Sequence, residues 1–294
     1  MKQLTIISGK GGTGKTTITA AFASLAKNAV LADADVDAAD LYLILNPDIK
    51  SQEEFYGGYI PVIDRGKCTE CEVCEELCRF DAINDFAIDD IACEGCGLCA
   101  LACPSEAIKM ERGLSGHLFT SQTRFGPMVY ARLGVAQENS GKLVSLVRQR
   151  AREIAEKEGR NLIIVDGPPG IGCPVIASIG GVDMVLVVTE PTISGIHDME
   201  RIAGVAKHFK VPALVCINKY DINMENSTKI ELCCRENGIE IVGSLPYDVC
   251  VTKAMVQGKS IIESDCGQIT SNVKVIWEKV QEVLNGRQVK RRSG

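Results

Sequence analysis

Apolar residues fall along this chain in short continuous blocks separated by longer amphipathic stretches. The blocks are Leu4-Thr5-Ile6-Ile7, Val30-Leu31-Ala32-Asp33, Asn161-Leu162-Ile163-Ile164-Val165-Asp166, Met184-Val185-Leu186-Val187-Val188-Thr189 and Ala213-Leu214-Val215-Cys216-Ile217-Asn218. Runs this apolar, rich in β-branched residues and ending in a polar residue, predict strands buried on both faces. Helices are predicted at 18–26, at about 141–157 and at 268–284, the last with Val273, Ile276, Trp277, Val280 and Leu284 on one face. Strands alternating with helices predict an α/β fold with a mainly parallel, doubly wound sheet. Residues 115–132 alternate polar and apolar around Phe125-Gly126-Pro127, the pattern of a hairpin.

The link between the first strand and the first helix carries the clearest chemistry. It reads Gly9-Lys10-Gly11-Gly12-Thr13-Gly14-Lys15-Thr16-Thr17, which fits G-x-x-x-x-G-K-[ST] between a strand and a helix. Glycines let backbone N–H groups crowd round phosphates, Lys15 is placed to reach the β- and γ-phosphates, and the Thr16 hydroxyl to hold Mg²⁺. A nucleoside triphosphate is therefore the expected ligand. The apolar strand ending at Asp166 has the form that brings a second carboxylate to the Mg²⁺ water shell. The block ending at Asp33 opens the acidic run Asp33-Ala34-Asp35-Val36-Asp37-Ala38-Ala39-Asp40 at the strand end where α/β sheets bind ligands.

At 294 residues the chain has room for one large α/β domain and a small one. A net charge of −6 argues against broad nucleic-acid binding. The first strand starts almost at Met1, and no secretory signal or apolar run of membrane-spanning length precedes or interrupts the blocks, so a cytoplasmic protein without a membrane partner is expected. The basic 287–292 tail lacks apolar anchors.

Fourteen cysteines change the picture, because eight of them lie between Cys68 and Cys103. Cys68-x₂-Cys71-x₂-Cys74-x₃-Cys78 is followed by Cys93-x₂-Cys96-x₂-Cys99-x₃-Cys103-Pro104, twice the spacing of a bacterial [4Fe–4S] site. In that two-cluster pattern the fourth cysteine of each run serves the other cluster. One expected cluster thus takes Cys68, Cys71, Cys74 and Cys103, and the other Cys93, Cys96, Cys99 and Cys78. Zinc, the rival, has no need of a third and fourth cysteine at these offsets twice over. Arg79 stands where the second run has Pro104, a departure that predicts a different local turn. The composition changes near Pro61 and reverts after Arg112, which predicts an inserted ferredoxin-like α+β domain at 60–112 within an ATPase domain of residues 1–59 and 113–294. Cys216, Cys233, Cys234, Cys250 and Cys266 have no ligand spacing and are read as packed or surface thiols.

Lys10, the second lysine of the loop, completes K-G-G-x-G-K-[ST], and with it the chain resembles the deviant Walker A ATPases, the MinD/ParA/Mrp superfamily that also includes ArsA and the nitrogenase iron protein. The resemblance implies ATP hydrolysis in a nucleotide-sandwich dimer, with Lys10 reaching the partner's phosphates. It assigns the attacking water to Asp35 and places Asp40 near the metal's water shell; Thr16, Asp35 and Asp166 are the candidate Mg²⁺ residues. Gly167-Pro168-Pro169-Gly170-Ile171-Gly172 resembles the family's switch II. Cys173 has the offset of a cluster-ligating cysteine in the nitrogenase iron protein, and is read either as a bridging ligand or as a packed thiol or acceptor of clusters in transit. Asn218-Lys219-Tyr220-Asp221 is similar to the N-K-x-D motif of guanine-specific proteins. In the MinD-like family, however, the asparagine contacts adenine, and Pro246-Tyr247-Asp248 supplies a second base-flanking turn, so ATP is expected over GTP.

Three functions follow as expectations. Nucleotide gates electron transfer by the two-cluster module; or the chain carries iron–sulfur or metal cofactors during assembly; or it is a positioning ATPase with a redox sensor. Expected partners are a second copy or a paralogous ATPase, and a redox or cluster-accepting protein. Two complete cysteine runs imply fully ligated clusters, which suits electron transfer better than donation.

Overall fold

The first strand, β1 (Lys2–Ser8), pairs in parallel with two strands far away in sequence, β8 (Leu162–Pro169) and β9 (Met184–Thr189). The computed structural model describes residues 1–134 and 140–286, so the basic 287–292 tail lies outside the described residues. Between β1 and β8 come α1 (Lys15–Leu25), β2 (Ala29–Asp33), α2 (Leu41–Leu45), β3 (Asp48–Ile63), α3 (Val73–Glu76), β4 (Ile83–Asn84), β5 (Ala87–Ile88), α4 (Leu98–Ala102), β6 (Ile108–Thr123), β7 (Gly126–Leu133) and α5 (Ser140–Glu158). After β8 come α6 (Cys173–Ile179), β9, α7 (Ile193–His208), β10 (Ala213–Asn218), α8 (Met224–Glu236), β11 (Glu240–Leu245), α9 (Val249–Val256), α10 (Ile261–Ser264) and α11 (Gln268–Leu284).

The chain forms two compact units: residues 1–52, 119–131 and 140 onward, and Glu53–Leu118 with the segment that begins at Arg132. In the first, the hydrogen-bonded order β11-β10-β9-β1-β8-β2-β7 is parallel throughout. Alternation along each strand divides its apolar side chains between two faces. Leu4, Ile6, Ile164 and Leu186 pack with Phe22 of α1 and with Val273 and Trp277 of α11. Ile7, Val185, Val187 and Val215 pack with Val175 of α6, Met199 and Ile202 of α7 and Ile230 of α8. Helices on both faces make the sheet doubly wound, and the strand ends carrying Ser8, Asp33, Asp166 and Asn218 gather on one edge.

Three elements differ from the sequence expectation. The strand ending at Asp166 continues through Pro168 and Pro169, because beyond Asp33 its β2 neighbour has ended and the prolines need no donor on that side. Strand β11 had no clear apolar block, and β3 is polar and mostly exposed, the profile of an edge strand, where it tolerates Pro61.

In the second unit β4 and β5 pair antiparallel through Ile83 and Ile88, beside the short helices α3 and α4. Asp64 N donates to Ala107 O at 2.8 Å and Gly57 N to Ser115 Oγ at 3.1 Å, so the far halves of β3 and β6 hold the unit's two ends together. The sequence interval 60–112 lies within this unit.

Candidate functional site

The loop after β1 is shaped by glycine where glycine is required. Gly12 and Gly14 have φ of 79° and 91°, in the left-handed region, and a Cβ on Gly14 would stand 2.4 Å from Asn218 Nδ2. That asparagine donates to Thr13 O at 2.8 Å, and Lys219 Nζ donates to Gly12 O at 2.9 Å. Asn218 at the end of β10 and the adjoining Lys219 therefore pin the loop's backbone.

Lys15 begins α1 and is buried, with its Nζ 2.6 Å from Asp35 Oδ2 and 3.5 Å from Thr16 Oγ1. Burial works against its charge, but Asp166, Asp35 and Asp33 outweigh that and raise its pKa above the ordinary lysine value. Asp33 and Asp166 are fully buried, and burial raises both carboxyl pKa values; the Asp166 charge adds to the rise at Asp33, while Lys15 works against the rise at Asp166. Asp33 spends both oxygens on the loop itself, accepting from Asp35 N at 3.1 Å and Leu41 N at 3.0 Å. It is a folding residue that aims Asp35. Asp166 accepts from Thr19 Oγ1 at 3.0 Å through Oδ1, while its Oδ2 is buried with no hydrogen-bond partner.

Such an orphan is costly unless a cation or its water shell meets it. Mg²⁺ keeps most of its waters and takes one or two carboxylates with substrate phosphates, so Asp166 and Thr16 are a donor set that fits it. A cleft of about 700 Å³ opens beside these groups, within the range of small-ligand sites. Gly11, Gly12, Gly14, Lys15, Thr16, Thr17, Asp35 and Asp40 line one part, and Asn218, Pro246, Tyr247 and Asp248 another. Gly9 stays outside, against Asp198, where a Cβ would stand 2.0 Å from the aspartate Cβ. Asp37 is exposed, and burial, then Asp35, raises its pKa.

Lys10 points away from the cleft's lining. Its Nζ lies 2.7 Å from Glu190 Oε1 and 3.2 Å from Thr192 Oγ1, and Lys219 Nζ joins the same carboxylate at 3.3 Å. Glu190 and Thr19 are site residues that local sequence did not single out, and Lys219, noted there only within the N-K-x-D match, joins them. Asp221 also differs from the guanine-reading role its motif suggests: Oδ1 accepts from Tyr247 N at 2.7 Å, and Asp221 is not among the cleft-lining residues.

The eight clustered cysteines line two separate cavities. Cys68, Cys71, Cys74 and Cys103 share one, while Cys78, Cys93, Cys96 and Cys99 share the other. Each run's fourth cysteine thus faces the other run's first three. Among the described residues no three His, Cys, Asp or Glu side chains converge on a single-ion site. A cavity walled by four thiols is a donor set for a cluster, in which each sulfur binds a different iron. The two runs repeat in backbone detail: Ala82 N donates to Cys78 Sγ at 3.4 Å and Ala107 N to Cys103 Sγ at 3.3 Å. Asp81 and Glu106, three residues past those cysteines, have φ of 50° and 49°. The turn expected to differ at Arg79 is therefore the same as at Pro104, because the residue after the cysteine makes none of these bonds.

Cys173 is exposed at the start of α6, while Cys216, Cys233 and Cys234 are buried. Burial pushes the Cys216 thiol up to about 12. Cys250 and Cys266 are not free thiols as expected but a disulfide, with Cα atoms 5.8 Å apart. They stand sixteen positions apart in sequence, and only the fold brings them together.

Residues 4–261 match the CobQ/CobB/MinD/ParA nucleotide binding domain. An uncharacterized protein of Methanocaldococcus jannaschii is 33% identical over 286 residues, 96% of this chain and 97% of its own. An iron–sulfur cluster carrier protein of the same organism is 20% identical over 302 residues, 97% of this chain and 86% of its own. The septum site-determining protein MinD of Pyrococcus horikoshii, solved with Mg-ADP, shares the fold at 19% identity with a TM-score of 0.59, over 98% of this chain and 99% of that one. No helix among the described residues is long and apolar enough to cross a membrane.

Proposed function

The chain belongs to the CobQ/CobB/MinD/ParA nucleotide-binding family, and from that premise we propose that it is a Mg·ATP-dependent ATPase whose nucleotide state gates electron transfer by, or docking of, a two-[4Fe–4S] ferredoxin-like module. The observation that carries this reading is the exchange of fourth cysteines. Cys103 lines the cavity of Cys68, Cys71 and Cys74, and Cys78 that of Cys93, Cys96 and Cys99, in a chain that also has a nucleotide cleft.

At the cleft, backbone N–H groups of Gly11, Gly12 and Gly14 face the phosphates, and the Lys15 ammonium offsets their charge. Phosphate charge competes for Lys15 and releases Asp35, which then orients a water toward the γ-phosphate. Thr16 and Asp166 hold Mg²⁺, which supplies further charge neutralisation. Asn218 and the 246–248 turn flank adenine. Lys10 leaves Glu190 for a partner's phosphates, so dimer formation, with a second copy or a paralogue, completes the site. The eight thiols hold the clusters, whose chemistry is one-electron transfer to a redox partner protein.

A carrier role is the second reading, favoured by the resemblance to the iron–sulfur cluster carrier protein and by the exposure of Cys71 and Cys96. An anaerobic redox titration followed by EPR, with and without Mg·ATP, separates the two. A nucleotide-dependent shift of about 30 mV or more, a tenfold change in a one-electron couple being 59 mV, supports gating. Unmoved potentials together with ATP-dependent loss of iron to an apo acceptor favour the carrier, and a protein purified with zinc in place of iron overturns both.

A further inference from the structure

Helix α9 supplies part of the cleft wall through Val251, Thr252, Met255 and Val256, yet Ala254 is its only fully buried residue. A helix this short with so little apolar burial does not hold itself together. Beyond the half-buried packing of Cys250 and Val251 on the core and the neighbouring α10, its fixings are few. Asp248 caps it, accepting from Cys250 N at 2.7 Å, and Thr17 Oγ1 of the phosphate loop's helix contacts Met255 Sδ at 3.1 Å. The third fixing is covalent, the Cys250–Cys266 bond. Cys266 is buried in the same core as Ile261, Ile269 and Trp277, and Trp277 packs on Phe22 of α1 with ring centroids 4.7 Å apart. The bond therefore ties a weakly anchored wall of the cleft to the core beneath the phosphate loop.

We propose that Cys250 and Cys266 form a reversible thiol–disulfide site whose oxidised state holds α9 in place for nucleotide and whose reduced state weakens ATP binding. The reductant is a dithiol, a small molecule or a protein with a paired-cysteine centre. One dithiol sulfur attacks Cys250, the less buried of the pair, and the Cys250–Cys266 bond breaks. The second dithiol sulfur then displaces Cys250, closing the dithiol to its own disulfide. Two electrons pass to the protein, and the dithiol's two protons end on Cys250 and Cys266 as thiols. Once reduced, α9 is ordered in a smaller share of molecules, and the apparent affinity falls by that share. A pair of this kind in a chain otherwise rich in free thiols is a sensor of redox poise rather than a general staple.

The test is the Mg·ATP dissociation constant of the full, cluster-loaded protein under anaerobic conditions, oxidised and after dithiothreitol. Alkylation and mass spectrometry report the state of Cys250 and Cys266 in each sample. Binding about fivefold weaker after reduction is expected. A Cys250→Ser/Cys266→Ser variant should bind like the reduced protein and no longer respond to dithiothreitol. Equal affinity in both states, or a pair that stays reduced under mild oxidant, overturns the proposal. It rests on the ATP reading of the cleft, and the two fail differently: no ATP binding in any redox state overturns that reading, whereas redox-independent ATP binding overturns only the switch.

Discussion

Lys15 Nζ is paired with Asp35 Oδ2 at 2.6 Å, and each side chain is only 8% exposed. The lysine proposed to bind phosphate and the carboxylate proposed to orient water therefore neutralise each other in this conformation. Two further carboxylates, Asp33 and Asp166, surround the same ammonium, so Lys15 keeps a negative environment when Asp35 is removed.

Asp35→Ala should consequently leave ATP binding intact or tighter, since Lys15 no longer trades one partner for another. Hydrolysis should fall by about 10²-fold or more, the usual loss when a positioned proton-handling group is removed. ATP affinity and steady-state phosphate release measure the two effects separately. Unchanged hydrolysis would remove Asp35 from the mechanism.

Glu190 plays the corresponding part for Lys10. Burial alone would raise the Glu190 pKa, but the Lys10 and Lys219 ammonium groups outweigh it and hold the carboxyl below its ordinary value of 4.5. A depressed carboxyl pKa means that the contact is fully present above the unfolded value and lost as pH falls through the folded one. Above that window, Glu190→Gln should free Lys10 and lower the ATP concentration needed for dimerisation several-fold, read by analytical ultracentrifugation. Lys10→Ala should abolish ATP-dependent dimerisation in either background; a dimer that persists would refute the cross-subunit role.

How much of this was legible depended on whether the signal was local. Gly9 to Thr16 could be read because the phosphate loop is one contiguous strand–turn–helix, and each glycine's conformational role falls at a fixed offset. The grouping of cysteines around the two cavities could be read because the repeated spacing pairs each run's fourth cysteine with the other run's first three. Glu190 and Thr19 were not legible, since each meets its partner only through the parallel crossovers of the sheet, and the Cys250–Cys266 bond was not, since only the folding back of the helices after the last strand brings the two thiols together. Strand β3 was missed for a different reason: an edge strand need bury little, so Asp48–Ile63 carries almost no hydrophobic pattern.

Asp221 bears on base choice. It holds Tyr247 N at 2.7 Å and thereby positions the turn that lines the cleft. Asp221→Ala removes a hydrogen bond to a charged acceptor, which costs about 1.5 kcal/mol and so about tenfold in ATP affinity. The preference for ATP over GTP should shrink at the same time, measured by competition between the two. A purely structural role would weaken both nucleotides equally.

The two cysteine runs differ at positions where their backbones agree. Glu70 and Glu72 have φ of 52° and 63°, and the equivalent Gly95 and Gly97 have 62° and 77°. Glutamates pay for the left-handed conformation that glycine adopts freely. Glu72→Gly should therefore keep or raise thermal stability, by up to about 1 kcal/mol. Gly95→Ala should do the reverse, since a Cβ there would stand 2.3 Å from Tyr59 O. Thermal unfolding of the loaded protein compares them, and a destabilised Glu72→Gly would show that its side chain matters more than its backbone.

The exchange of fourth cysteines makes the most specific claim about the clusters. Anaerobic preparation should give about eight irons per chain, as two [4Fe–4S] clusters require. Cys103→Ala opens the cavity of Cys68, Cys71 and Cys74, although it lies in the second run by sequence. Its EPR spectrum and remaining redox potential should therefore match those of Cys68→Ala, while Cys78→Ala should match Cys93→Ala. If Cys103→Ala instead behaves like Cys93→Ala, each run ligates its own cluster, and the pairing across the repeat is wrong even though iron is present.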